Sequence, residues 1–136
     1  MRGLAPEDNG GMRLQDSSWL LGLASGENVA VSAALTATVG GAQAAVDIPN
    51  DAQMIDFSSV ASANDSYELP FAGKGKVFCF VNRGGNTARI YAKAGNNPAT
   101  GAADTINGGA NGTPITVANN TVTWAACPAN GVWIIS

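Results

Sequence analysis

Histidine is absent from this sequence. Its absence removes the Ser-His-Asp and Cys-His arrangements of nucleophilic catalysis, together with most zinc sites. Charge is scarce as well. Only 12% of residues are charged, the net charge is −3, and the seven Lys and Arg residues are scattered. No basic patch of the kind that binds nucleic acid is encoded. No apolar stretch approaches the ~20 residues of a spanning helix, so no membrane partner is expected. The opening residues, Met1-Arg2-Gly3-Leu4-Ala5-Pro6-Glu7-Asp8, turn acidic at once and lack the hydrophobic run of a signal peptide. Cysteine is limited to Cys79 and Cys127, 48 positions apart in apolar runs. Without a secretory signal they are expected as buried thiols and not as a disulfide.

What is present is alanine, glycine and asparagine: 24, 17 and 13 of the 136 residues. The length fits one domain. With nine aromatics in all, the core must rest on few large side chains. Residues 1–30 differ from the rest. They begin polar, pass Gly10-Gly11 and carry one compact apolar cluster, Trp19-Leu20-Leu21-Gly22-Leu23-Ala24. The cluster reads either as an ordinary element packed on its own domain or, since short apolar clusters on tails find burial elsewhere, as part of an N-terminal arm or docking segment, 1–30, that anchors on a neighbouring subunit. Trp19, Leu20, Leu21 and Leu23 are its contact residues.

Residues 31–136 read as one all-β domain. Short apolar stretches alternate with breakers: Leu35 to Val39 before Gly40-Gly41, Ala42 to Ile48 before Pro49-Asn50-Asp51, then Met54 to Phe57 and Tyr67 to Pro70. Val77-Phe78-Cys79-Phe80-Val81 is an unbroken apolar run and reads as a central strand. Asn82 to Asn86 has turn composition, and Thr87 to Ala92 reads as the return strand of a hairpin. Residues 95–112 form a long loop, and Pro114–Val117, Thr121–Ala125 and Gly131–Ile135 complete the strands. Turn signals about every ten residues predict a small β-sandwich or barrel of short antiparallel strands with an extended N-terminal arm.

The motifs that invite chemistry fail on spacing. Gly73-Lys74-Gly75-Lys76 has Glu68 where a phosphate loop needs glycine, and a strand follows it. Arg83-Gly84-Gly85 is a single unit where RNA-binding segments repeat. Asp104 with Asn96, Asn97 or Asn107 offers one carboxylate, thin for calcium. Asp47, Asp51 and Asp56 are close in sequence, yet read as solvated turn residues and not as a catalytic pair. The chain is therefore read as no enzyme, with no cofactor and no metal. Buried aromatics such as Trp124 and Trp133 read as core or subunit interface.

A series of these pieces carries a resemblance. Leu35 to Gln43, Asp65 to Pro70, Val81 to Gly85, Ile90-Tyr91, Asp104 to Gly108, Val117 to Asn119 and Gly131 to Ile134 occur in that order. Together they resemble a domain recurrent in virion proteins of tailed bacteriophages. The resemblance covers about three-quarters of the chain, and the N-terminal zone departs from it. It implies a structural protein made in the cytoplasm of the bacterial host. The expected role is a capsid cement (decoration) protein on the outside of the head, a homotrimer whose partner is the major capsid protein. The alternative it implies is a tail fibre or spike module, or a receptor-binding domain using the 95–112 loop and Tyr91 on host glycans.

Overall fold

A computed structural model describes residues 29–136 of the protein. Among these residues there are ten strands and no helix. The first six form three successive rungs that alternate between two sheets. They are β1 (Leu35–Thr36) with β2 (Val46–Asp47), β3 (Met54–Ser59) with β4 (Ser66–Glu68), and β5 (Val77–Asn82) with β6 (Ala88–Tyr91). Like strands stack in parallel, β1 on β3 on β5 in one sheet and β2 on β4 on β6 in the other. Val46, Tyr67 and Ile90 thus lie in one column, 21 and 23 residues apart. The arrangement is β-solenoid-like.

Four later strands close the coil. After β7 (Thr105–Ile106), β8 (Ile115–Val117) runs antiparallel beside β6, and β9 (Thr121–Ala129) runs antiparallel beside β5. β10 (Val132–Ile135) returns along β9, and β7 pairs with its outer edge in parallel. The result is a six-stranded sheet in the order β1-β3-β5-β9-β10-β7 facing a four-stranded sheet in the order β2-β4-β6-β8.

The expected antiparallel sandwich or barrel is corrected by this topology. All-β character holds for the described residues, but five strand pairs are parallel and three antiparallel. The reason lies in the turn after β5. Asn82 to Asn86 makes no hairpin, because β5 and β6 belong to different sheets. It is a corner stacked on the corner below. Gly84 accepts the Val60 N–H at 2.9 Å through its carbonyl. A Cβ on Gly84 would stand 2.6 Å from Val60 Cγ2 and 2.7 Å from Val60 N, so only glycine lets the two corners touch.

The core lies between the sheets as a row of rings. Phe57 stacks on Tyr67 at 3.9 Å and on Phe80 at 5.4 Å; Phe78 lies 6.0 Å from Phe80 and 5.6 Å from Trp133. Phe57, Phe80, Tyr67 and Trp133 are fully buried. Each such side chain contributes roughly 1.5–3 kcal/mol on leaving water, which is how so few large residues suffice. Alanines fill the gaps, with Ala88 and Ala125 at zero exposure.

Tyr67 joins the sheets by more than its ring. Its single hydroxyl proton is shared between the carbonyls of Leu35 and Ser59, both at 3.1 Å. Burial, reinforced by the nearby Asp56 and Asp65 charges, pushes its ionisation well above the ordinary 10.0. The unfolded chain therefore ionises first as pH rises. Stability is complete below the ordinary value and falls above it. Tyr67→Phe is expected to lose only about 1 kcal/mol at neutral pH. The cost is small because the Leu35 carbonyl keeps Ser58 Oγ and the Ser59 carbonyl keeps the Ala37 N–H. In urea titrations carried past the ordinary 10.0, the gap between the two proteins should close as the wild type loses this contribution. A gap constant with pH would refute the assignment.

Candidate functional site

The residues that the sequence offers for chemistry are occupied in holding the coil together. Asp104 is fully buried. One of its carboxylate oxygens accepts the Ala72 N–H at 2.6 Å and the other accepts Asn97 Nδ2 at 2.8 Å. Asn107 pairs both ways with the Ile135 backbone. The loop 95–112 is thus fastened from within, and the Asp104 carboxylate is turned to N–H donors. Asp47 meets Lys93 at 2.8 Å and Asp56 meets Arg83 at 2.8 Å, so the three sequence-adjacent aspartates do not converge. No cluster of three or more His, Cys, Asp or Glu side chains suited to a metal ion occurs among the described residues. Tyr91 is buried, and its hydroxyl donates to the Gly41 carbonyl at 2.7 Å, so its ring offers no platform for a sugar.

The pieces that carry the phage resemblance converge on the coil's corners. Gly40 donates its N–H to Asp65 Oδ1 at 3.3 Å, and Ser66 Oγ donates to the Ala42 carbonyl at 2.7 Å. Gln43 Nε2 donates to the Ala92 carbonyl and to Asn111 Oδ1. Asn119 Oδ1 accepts the Gly85 N–H at 3.0 Å. Hydrogen bonds from Ser62 hold the Asp65 carboxyl below its ordinary 3.8, the hydroxyl contributing most. Asn82, fully buried, donates from Nδ2 to the carbonyls of Asn86 and Val117 and so ties β5 to β8.

The exposed large apolar side chains gather on the outer face of the six-stranded sheet. Alternation along β3, β5 and β9 sends Ile55, Phe57, Phe78, Phe80 and Ala125 inward. Their neighbours Met54, Asp56, Val77, Cys79, Val81, Val122 and Trp124 therefore point outward. Register aligns them into rows: Val31, Met54, Cys79 and Trp124 in one, and Asp56, Val81 and Val122 in the next. Ile134 of β10 stands beside Ala126. Val31, Val122, Trp124 and Ile134 are 55, 57, 44 and 48% exposed. At the border Arg83 forks onto Asp56 through Nε and Nη2, which raises the guanidinium's ionisation further.

Sequence reading grouped Trp124 with Trp133, but only Trp133 is in the core. The signal that separates them is the parity of β9, with Ala125 and Cys127 inward and Trp124 outward. The same parity puts Cys79 outward and Cys127 inward on adjacent strands. Both are free, and burial raises both thiols above the usual 9.0. Trp19, Leu20, Leu21 and Leu23 lie outside the described residues.

A second concavity, of about 370 Å³, is lined by Asp47, Asn50, Phe71, Lys76 and Lys93. Lys93 is held there by Asp47 and by the buried Glu68, at 2.8 and 3.0 Å, and its ionisation is raised by these bonds. No helix of the described residues is long and apolar enough to cross a membrane. The chain matches no protein-family model, no curated protein and no solved structure.

Proposed function

We propose that this chain is a structural component of a tailed-bacteriophage virion: a capsid decoration protein that binds the outside of the head. It works by fitting surfaces together and not by turnover. The observation that carries the reading is the outward apolar face of the six-stranded sheet. In a chain with so few large apolar residues, Val31, Val122, Trp124 and Ile134 stand exposed together. Burying the exposed half of Val122 or Ile134 against a shell contributes about 1 kcal/mol each, and a shell presents many copies of the partner. A parallel coil with stapled corners supplies the rigid frame that such a surface needs, since little ordering remains at docking. The resemblance adds the class of partner, the major capsid protein, and a homotrimeric state.

The test is occupancy of purified heads by added protein. Wild type should bind at a copy number comparable to the major capsid protein. The Val122→Glu, Ile134→Glu double variant should bind at least about tenfold more weakly, since each buried unpaired carboxylate costs more than the ~1.4 kcal/mol of a tenfold change. Equal occupancy would remove the face from the argument, and absence of wild-type binding would remove the decoration role.

The second reading is a tail module that binds a receptor glycan. It moves from Tyr91 to the groove of Asp47, Asn50, Phe71 and Lys76, which sets one aromatic among polar groups at the small end of ligand-site volumes. Glycan binding by the isolated protein, lost in Phe71→Ala, distinguishes it.

A further inference from the structure

The groove of Phe71 and Lys93 has a neighbour. A smaller concavity of about 210 Å³, lined by Gln53, Gly75 and Val77, shares Asn50 and Lys76 with it. Alone it falls below the roughly 300 Å³ at which ligand sites begin. Joined to the groove's 370 Å³ it makes one trough well inside their range. The coil dictates the shape. Asp47 and Asn50 stand where the chain leaves β2, Phe71 and Lys76 lie on the connection from β4 to β5, and Lys93 follows β6. Three successive rungs thus line the trough, which crosses stacked corners from the edge of the four-stranded sheet to the starts of β3 and β5. Backbone bonds fix its walls. The Gly75 N–H donates to the Cys127 carbonyl at 2.8 Å, the Cys127 N–H to the Lys76 carbonyl at 2.9 Å, and the Cys79 N–H to the Gln53 carbonyl at 2.7 Å. A ligand finds the trough formed, and little chain has to be ordered on binding.

The two cations in the trough are not equivalent. Lys93 is answered by Asp47 Oδ1 and by the buried Glu68, at 2.8 and 3.0 Å. Glu68 is itself held, since its Oε2 accepts the Ala94 N–H at 2.8 Å. Lys76 joins no ion pair among the described residues, although its side chain is half-buried. It belongs to both concavities, so a cation that no acid answers stands at mid-trough. Beside it, Phe71 offers a half-buried ring and the exposed Asn50 an amide that both donates and accepts. Asp47 spends Oδ1 on Lys93 and keeps Oδ2 as an acceptor. A ring face next to an acceptor and an amide suits the C–H face and the hydroxyls of a sugar. An unanswered ammonium where two concavities meet suits a carboxylate carried within a sugar chain.

We infer that the trough binds an acidic oligosaccharide at least two rings long, with a uronic-type carboxylate on Lys76 and one ring on Phe71. This rests on the reading of the groove as a glycan site and adds to it the charge and the length of the ligand. It owes nothing to the outer face of the six-stranded sheet.

The experiment titrates the full chain by calorimetry with tetrasaccharides of polygalacturonate, alginate and hyaluronan, each beside its carboxyl-reduced, neutral counterpart. At least one acidic tetrasaccharide should bind, and its neutral counterpart about fivefold more weakly, near the most that a partly exposed ion pair supplies. Lys76→Gln keeps most of the stem and should bring the acidic form down to the neutral one. It should leave the neutral form unchanged, which checks its fold in the same titration. The acidic monosaccharide should bind at least about tenfold more weakly than the tetrasaccharide, because it leaves one concavity empty. Equal binding of acidic and neutral forms would overturn the inference and leave the glycan reading standing. So would a Lys76→Gln protein that still tells the two forms apart, or a monosaccharide that binds as tightly as the tetrasaccharide. If no sugar of either charge bound, the inference and the glycan reading would fall together.

Discussion

Replacing Asp104 with alanine is expected to lower stability by about 4 kcal/mol. The melting temperature should fall by roughly 14 °C for a chain of this size. The carboxylate is fully buried and accepts two N–H groups, from Ala72 at 2.6 Å and Asn97 at 2.8 Å. Alanine leaves the Ala72 N–H and one of the two Asn97 Nδ2 hydrogens without an acceptor in a place water does not reach. Three segments meet there. Asn97 Nδ2 also donates to the Ala72 carbonyl, which accepts the Gly131 N–H as well, and the Gly131 carbonyl accepts the Thr105 N–H. The knot therefore joins the connector before β5, the 95–112 loop and the β9–β10 turn.

Asp104→Asn separates shape from chemistry. The volume is kept, but an amide presents one oxygen and one NH₂, so one of the two N–H donors faces another donor. About 2 kcal/mol should be lost, half the effect of alanine. Thermal and urea unfolding of the three proteins checks the order. If Asp104→Asn matched wild type, the paired acceptors would not be what holds the knot.

The same residue shows where sequence reading stops. Asn, Asp and Gly in turn-like spacing announce a loop at 95–112, and Asp104 reads there only as a thin cation ligand. Nothing in the order of residues says that this aspartate turns inward. Asn82 and Asn97 hide in the same way, one read as turn and the other as loop, and each buried. Strand positions were legible because parity is local. Met54 to Phe57, Val77 to Val81 and Gly131 to Ile135 fall on β3, β5 and β10. Thr121–Ala125 is too short a reading of β9, which runs to Ala129 because it pairs with β5 as far as Ala126 and with β10 as far as Ala129.

Pairing partners were not legible, and for a physical reason. A hairpin turn and a coil corner use the same residues; what separates them is whether Gly84 meets Val60, 24 positions away in sequence. The coil's period is masked too. Positions that stack, such as Phe57 on Leu35 and Asn82 on Phe57, share no residue type. The outer face was hidden for the same cause, since an apolar residue in a strand gives no sign of which sheet face lacks a cover. The motif pieces were visible because corners are chemically demanding. Gly40-Gly41, Asp65-Ser66 and Tyr91 are bound to one another across three rungs, so the pattern records the frame and not the surface that would do the work.

Trp133 is the residue at which frame and closing strands are joined, and its removal should match Asp104→Ala in size. Its ring stacks on Phe78 at 5.6 Å, its backbone pairs with Ile106 of β7, and its carbonyl accepts the Asn107 N–H at 2.8 Å. Trp133→Ala opens a cavity the width of an indole at zero exposure, and a loss of about 4 kcal/mol is expected. Among the described residues the indole Nε1 has no hydrogen-bond partner. The native residue therefore carries the penalty of a buried unpaired donor, worth roughly 1–3 kcal/mol. Trp133→Phe removes that penalty while giving up only part of the ring, so the two effects oppose each other. Its loss should be about 1 kcal/mol or less, far from that of alanine. Urea unfolding of both variants decides the matter. A Trp133→Phe loss close to that of Trp133→Ala would mean that the Nε1 proton is satisfied in solution, with a water as the first candidate for its acceptor.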